Sequence, residues 1–340
     1  MTLIGFTDKR GKAWHWRESD QGVEPNHYAG AIPLEDVRRR LFFWQPVEGE
    51  HLSRYVDPET GETETMVSDD VKDIIRPRTD RLGPAKRLST FKRDFKIHDY
   101  SEWLITNVQN ILDDSLAIGS AGLLKDGAQA WVQAQMPDNV TTPEGVEFRP
   151  YISAATSLDG SLATTYKTGN ELIVCDNTMH AALQGDAFRV KIRHTKNSLA
   201  KIHDVRSALG VIHQEADDFA KEIKELTSTE VSEKQWQAFL DAYTPLPEVK
   251  KTKGGGPGQG YTMAETKRDR LSALYHNDPR VSDWTGTAFG VLQAANTYDN
   301  HESIVRGQHS RLERNITMAI KDKRDQKDAE VLDTLRMVLA

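Results

Sequence analysis

Cysteine is nearly absent: Cys175 is the single thiol in 340 residues. An intrachain disulfide framework is therefore excluded, as is any metal site built from several thiolates. Long apolar runs are missing too. No stretch approaches the roughly 20 residues that cross a bilayer, so no membrane partner is expected. The opening Met1–Asp8 has no basic region followed by an apolar core, so no secretory leader is expected. Positive charge is in deficit, with 44 Lys and Arg against 51 Asp and Glu, a formal −7 at pH 7. Taken whole, that balance argues against a polyanionic partner. With 38% hydrophobic and 28% charged residues, the composition is that of a cytoplasmic protein of one large domain or two.

Catalytic signatures are equally sparse. There is no Gly-x-Ser-x-Gly elbow and no His-Glu-x-x-His. The run Gly254–Gly260 is followed by no Lys-Ser or Lys-Thr, follows no strand, and loses a backbone donor at Pro257, so it reads as a linker and not a phosphate cradle. Lys250, Lys251 and Lys253 give it a basic flank. The pairs His98-Asp99 and His203-Asp204 are of the kind metal phosphohydrolases use, but that chemistry needs further converging ligands. His301 and His309 lack acidic partners, and Asp113-Asp114 lacks a downstream Glu-x-Lys. One nucleophile-and-base grouping remains: Cys175 with Asn177, His180 and His194. Against it, Cys175 closes the apolar run Ile173-Val174, where a free thiol acts as a small hydrophobe. No metal and no cofactor is expected.

What is present is charge in blocks. Residues 48–73 hold nine acids and two bases; residues 72–96 hold nine bases and three acids, a local +6 that includes Lys86, Arg87, Lys92 and Arg93. Residues 189–206 are +5, and residues 215–233 hold seven acids against two bases. Two readings stay open, ordinary solvated faces or a local polyanion-binding surface.

The periodicities outline an α+β fold: an antiparallel sheet with a long packed helix, followed by a helical C-terminal region. Pro33–Trp44 reads as a short helix running into a strand, Val56–Glu62 as a turn, and Asp99–Leu112 as a helix with Trp103, Leu104, Val108, Ile111 and Leu112 on one face. Ala128–Met136 alternates as a half-buried strand; Phe148–Ser157 and Ser161–Lys167 follow as strands around the turn residues Asp159-Gly160. Asn177–Leu183 reads as helical, with Asn177 as a cap.

Phe188–His194 alternates without a break, Phe188, Val190 and Ile192 on one face and Arg189, Lys191 and Arg193 on the other. The three cations stand ~7 Å apart, a phosphate-backbone spacing. His194, Thr195, Lys196 and Asn197 then open a helix, where free amides attract anions. That helix carries Ile202, Leu209, Ala216 and Ile223 every seven residues, with Val205, Ile212, Phe219 and Leu226 three after each. Its seam has two readings, packing onto the sheet or self-association. Ser232-Glu-Lys-Gln235 is a capping-box start, and helices follow near 263–277, 286–300, 303–321 and 325–339. The resulting divisions are 1–99, an N-terminal α+β region with a charged insertion; 100–245, the sheet and long helix; 246–262, the Gly/Pro/Lys linker; and 263–340, the helical region.

Several motifs carry a resemblance. Thr156–Ser161, Ile173–Leu183 with Cys175, Asn177 and Thr178, His194-Thr195 leading into a long helix, and Gly286–His301 together resemble the phage/plasmid-like protein family, a numbered domain-of-unknown-function group (nine-three-two). Trp14-His15 and Phe95–Trp103 match its N-terminal part loosely, and residues 46–93 depart from it. The resemblance implies a mobile-element product acting in a bacterial host cell. More remotely, strands and hairpin ending in a cationic strand and a long helix are similar to the single-strand annealing recombinases of phages. That second likeness implies single-stranded DNA as partner, self-association, no ATP or metal, and a phage exonuclease or host replication protein as companion. The expected contacts are phosphates held by Arg189, Lys191, Arg193, His194 and Lys196, supported by Lys86, Arg87, Lys92 and Arg93. The rival expectations are an oligomeric host-modulating protein and an enzyme using Cys175 and His194.

Overall fold

The computed structural model describes residues 2–6, 26–28, 30–109, 116–136, 138–172, 177–179, 189–195, 198, 209–249, 258–307, 310–321 and 323–340. Its strands in chain order are β1 (Thr2–Phe6), β2 (His27–Tyr28), β3 (Val47–Val56), β4 (Thr63–Arg76), β5 (Lys86–Lys92) and β6 (Ala117–Leu124). Then come β7 (Gln129–Gln135), β8 (Val140–Thr141), β9 (Glu147–Ser157), β10 (Thr164–Leu172), β11 (Asn177–Met179) and β12 (Arg189–Ile192). The helices are α1 (Leu34–Arg40), α2 (Leu209–Ser228), α3 (Glu233–Tyr243), α4 (Gln259–Asn277), α5 (Ala288–Thr297), α6 (Arg311–Ile320) and α7 (Lys323–Leu339). The fold is α+β. Strands β3-β4-β5 form one antiparallel sheet; the other runs β11-β10-β9-β7-β6-β1-β2, with β12 also pairing β10 and β8 pairing β9. The chain divides into two units, Met1–Pro137 with Tyr151–Thr168 and Phe188–Ile212, and Asp138–Pro150 with Gly169–Ala187 and His213–Ala340.

The first unit is built on strand alternation. One face of its sheet turns Ala130, Val132 and Ala134 of β7, Ile152 and Ala154 of β9, Tyr166 of β10 and Ile192 of β12 into a core shared with Val37, Leu41 and Leu104. Each large side chain so buried stabilises by about 1.5–3 kcal/mol. The expectation of a half-buried β7 is corrected, because Gln129, Trp131 and Gln135 on the other face are buried as well. After α1 the chain makes a turn over Leu41–Trp44 and strand begins only at Val47. Leu41, Phe42 and Trp44 are buried there as a knot of side chains, which satisfies the apolar run without a ladder. The turn expected at Val56–Glu62 is present. Asp57 Oδ1 accepts hydrogen bonds from the amides of Glu59 and Thr60, and Gly61 takes φ +72° to close it. The helix expected from Asp99 is a π-helical turn, Ser101–Thr106, running into Asn107–Gln109; Ile111 and Leu112 lie outside the described residues.

The second unit is mostly helical. On α2 the heptad positions Ala216, Phe219, Ile223 and Leu226 are all buried, in one core with Trp236 and Phe239 of α3 and Phe289 of α5. Phe219 meets the edge of Phe148 at 4.8 Å. For this described half of the seam, packing includes a strand residue, Phe148 of β9. Among the described residues, Val140 of β8, Val146 just before β9 and Phe148 of β9 reach that core, whereas Ile192 and Val190 belong to the first unit's core. Ile202 and Val205 lie outside the described residues, and Leu209 and Ile212 are described only as backbone of α2.

The capping box at α3 is present, Ser232 Oγ accepting from Gln235 N at 3.4 Å and Ser232 N donating to Gln235 Oε1 at 2.9 Å. Asn177–Met179 is corrected from helix to strand: its backbone pairs antiparallel with Asn170–Leu172, a ladder that decides the state of so short a segment. Asn177 is accordingly no helix cap. Helix α4 begins at Gln259, inside the stretch read as linker, and α6 covers only Arg311–Ile320 of the helix expected over 303–321.

Candidate nucleic-acid interface

Strand β12 presents its side chains as the alternation requires. Arg189, Lys191 and Arg193 are exposed, Ile192 is buried, and Val190 packs partly against the core. Pairing with β10 sets Lys191 opposite Thr165 and Arg189 opposite Lys167, so Lys167 adds a buried cation to the same face. Thr195 is exposed in the turn that follows. Lys196, Cys175 and His180 lie outside the described residues, and Asn177 and Thr178 are described only as backbone of β11.

The second basic segment comes from β5. Lys86, Arg87, Lys92 and Arg93 are all exposed. Three of them face carboxylates: Lys86 meets Asp126 at 2.5 Å, Arg87 meets Asp73 at 3.6 Å, and Arg93 meets Asp69 at 3.8 Å while donating to the Asp69 carbonyl. Among the described residues Lys92, Lys96 and Arg193 have no ion pair.

The structure brings these two segments together. Lys96 N donates to the His194 carbonyl at 3.4 Å, and His194 Nδ1 lies 2.9 Å from the Lys96 carbonyl. Around that contact five rings stand in a column. Phe91 stacks on Phe95 with centroids 3.8 Å apart, Phe95 on His194 at 4.8 Å, His194 on His98 at 3.9 Å, and His98 on Trp103 at 3.6 Å. Gly160, at φ +71° in the β9–β10 turn, closes on the outer ring; a Cβ there would lie 2.9 Å from Phe91.

A hydrogen-bond relay runs beside the column. His98 Nδ1 lies 2.6 Å from Thr164 Oγ1, Thr164 Oγ1 2.7 Å from Thr156 Oγ1, and Thr156 Oγ1 3.4 Å from His194 Nε2. The Lys96 carbonyl accepts, so His194 carries its proton on Nδ1. With that ring neutral, Nε2 accepts from Thr156, Thr156 accepts from Thr164, and Thr164 accepts from His98 Nδ1–H. Both imidazoles are held neutral. Burial, reinforced by the neighbouring His194, pushes His98 down to about 3. Burial also lowers His194, opposed by its bond to the Lys96 carbonyl. His194 therefore contributes position to this surface, and the charge comes from the lysines and arginines around it.

Residues 87–320 match the family described as a domain of unknown function, DUF932. The chain belongs to that family. The match opens at Arg87, so β5 after Lys86 and the column fall within the DUF932 region while β3 and β4 precede it. No curated protein and no solved structure matches the chain. Phe91, Phe95, His98 and Trp103 are not among the site residues that the sequence points to. The one available signal was Phe95–Trp103, the loosely matching family segment, which here supplies three of the five rings. Among the described residues, no three His, Cys, Asp or Glu side chains are grouped to hold a metal ion, and no helix is long and apolar enough to cross a membrane.

Proposed function

We propose that this DUF932 protein binds single-stranded DNA along the surface joining β12 to the β5–Lys96 segment, and promotes annealing in phage-type recombination or replication without covalent catalysis. The observation that carries the reading is the junction at His194: two basic islands nearly a hundred residues apart in sequence meet at one stacked column. Arg189, Lys191, Arg193, Lys92 and Lys96 supply phosphate contacts, a sequence-tolerant mode of binding. Phe95, stacked on both faces, and Phe91, closed over by Gly160, fix the shape of this surface and leave binding to the phosphate contacts. The test is fluorescence anisotropy with an oligothymidylate between 50 and 200 mM salt. Affinity should fall with a logarithmic slope of about −0.7 per phosphate contacted, and the triple reversal R189E/K191E/R193E should abolish binding. Undiminished binding by the triple variant would remove this surface from consideration.

A second reading, a partner- or self-associating protein, is favoured by the β3–β4 ribbon. Leu52 and Val67 pair across it while 54% and 46% exposed, and Val56 and Met66 are more than half exposed. Sedimentation of the full chain and of L52K/V67K distinguishes it: an assembly that dissociates in the variant supports association through the ribbon.

A further inference from the structure

A cavity of about 870 Å³ opens in the second unit, between the end of α3, the first turns of α4 and the segment after α5. That volume suits a small organic ligand, for which pockets run to roughly 300–1,000 Å³. Its walls are mainly apolar, with Pro245, Met263 and Ile304 among them. Ile304 is 69% exposed, so the apolar lining continues to the mouth.

A lysine stands inside. Lys267 Nζ lies 4.3 Å from the centroid of the Tyr243 ring and 5.8 Å from that of Tyr298. Among the described residues no oxygen accepts a hydrogen bond from it. The two ring faces stabilise the ammonium but leave its three donors unused. Burial lowers the Lys267 ammonium, Lys327 adds to this, and Asp299 and Glu330 oppose it.

The charge count selects the ligand. Arg270 at the wall faces Glu302 at 3.6 Å, and Lys327 pairs with Asp299. Lys267 is left without an ion pair among the described residues. One such charge in an apolar enclosure matches a single anionic head on an apolar body; a nucleoside triphosphate would bring several negative charges to one cation.

We infer that this cavity binds a small amphipathic carboxylate, its head hydrogen-bonded by Lys267 Nζ and its apolar body against Pro245, Met263 and Ile304. The inference concerns the second unit alone and does not depend on DNA binding.

Calorimetry on the full chain with decanoate, 1-decanol and ATP tests it. Decanoate should bind at least about tenfold more tightly than decanol, as a charge-assisted hydrogen bond provides, and ATP should not compete. K267Q should erase the preference for the acid and K267R should keep it. Because K267Q removes a packed side chain, a second readout uses the unaltered protein: decanoate, and not decanol, should protect Lys267 from acetylation by acetic anhydride, read by peptide mass spectrometry. Equal affinity for acid and alcohol, no binding of decanoate, displacement by ATP, or unprotected Lys267 would each overturn the assignment.

Discussion

The imidazoles of His98 and His194 lie face to face, centroids 3.9 Å apart and planes within 18°. Two neutral rings stack at that separation without penalty, whereas protonating either one disturbs both stack and relay. A proton on His194 Nε2 turns that atom from acceptor to donor, opposing the Thr156 hydroxyl that already donates to it. Every hydroxyl in the relay must then reverse, and His98 Nδ1 with them.

Acid sensitivity follows. His98 falls from 6.5 to about 3 on folding, so the unfolded chain takes up the proton first. The stabilisation is complete above about pH 6.5 and is lost as pH falls toward 3, at up to about 1.4 kcal/mol per pH unit. Thermal unfolding between pH 7.5 and 4.5 should show this slope in the parent protein. H98F, which keeps a flat ring, should flatten it while losing about 1 kcal/mol at pH 7 with the Thr164 hydrogen bond. A slope unchanged in H98F would place the acid sensitivity elsewhere.

The second unit contains a group with the opposite sign. Asp328, buried on α7, is pushed up from 3.8 to about 8 by burial, reinforced by Asp325 and opposed by Arg324. A raised carboxyl favours the folded state below its unfolded value, and that advantage is lost as pH rises through 4 to 8. D328N should therefore gain stability relative to the parent as pH rises from 6 to 8, by up to about 1.4 kcal/mol per unit. Denaturant titrations at the two pH values measure the difference, and equal changes at both would contradict it.

Local chemistry made part of this fold legible. The alternation of Arg189–Arg193 named which side chains face out, Ser232–Gln235 named a helix start, and Asp159-Gly160 named a turn. The heptad pattern placed Phe219 and Ile223 in a core but not in which core, because a seam specifies burial and not partner. Asn177–Leu183 reads as helical, yet its first three residues pair with β10, because a tertiary ladder outweighs local propensity in so short a segment; residues 180–183 lie outside the described residues. The column was illegible for a different reason. In sequence His98 stands beside Asp99 as a metal-type pair and Trp103 lies on one face of a helix; nothing local ties either to His194, which arrives from β12 through tertiary pairing.

Gly160 tests the column from its outer end. At φ +71°, an alanine is strained by about 1 kcal/mol, and its Cβ would press on Phe91 at 2.9 Å. G160A should lose about 1–2 kcal/mol in denaturant unfolding and weaken DNA binding by displacing the β5 end of the surface. G145A is the control, since its glycine also has positive φ but open space around it. Equal losses in stability and binding for both would show that backbone strain alone, and not contact with Phe91, matters.

The cations of the interface should not be equivalent. Lys86, Arg87 and Arg93 already face Asp126, Asp73 and Asp69; a phosphate must displace a carboxylate to reach them. Lys92, Lys96 and Arg193 have no such competitor among the described residues, and Lys96 is joined through its own backbone to His194. Every one of these six substitutions to alanine removes a unit of charge, so bare affinity at low salt does not separate contact from long-range attraction. The salt slope does. Removing a true phosphate contact should reduce it by about 0.7, as expected for K92A, K96A and R193A. K86A and R87A should weaken binding slightly and leave the slope within error of the parent. If K86A and R87A reduced the slope as much as K96A, DNA would have to run over the carboxylate-paired edge of β5, away from the His194 junction.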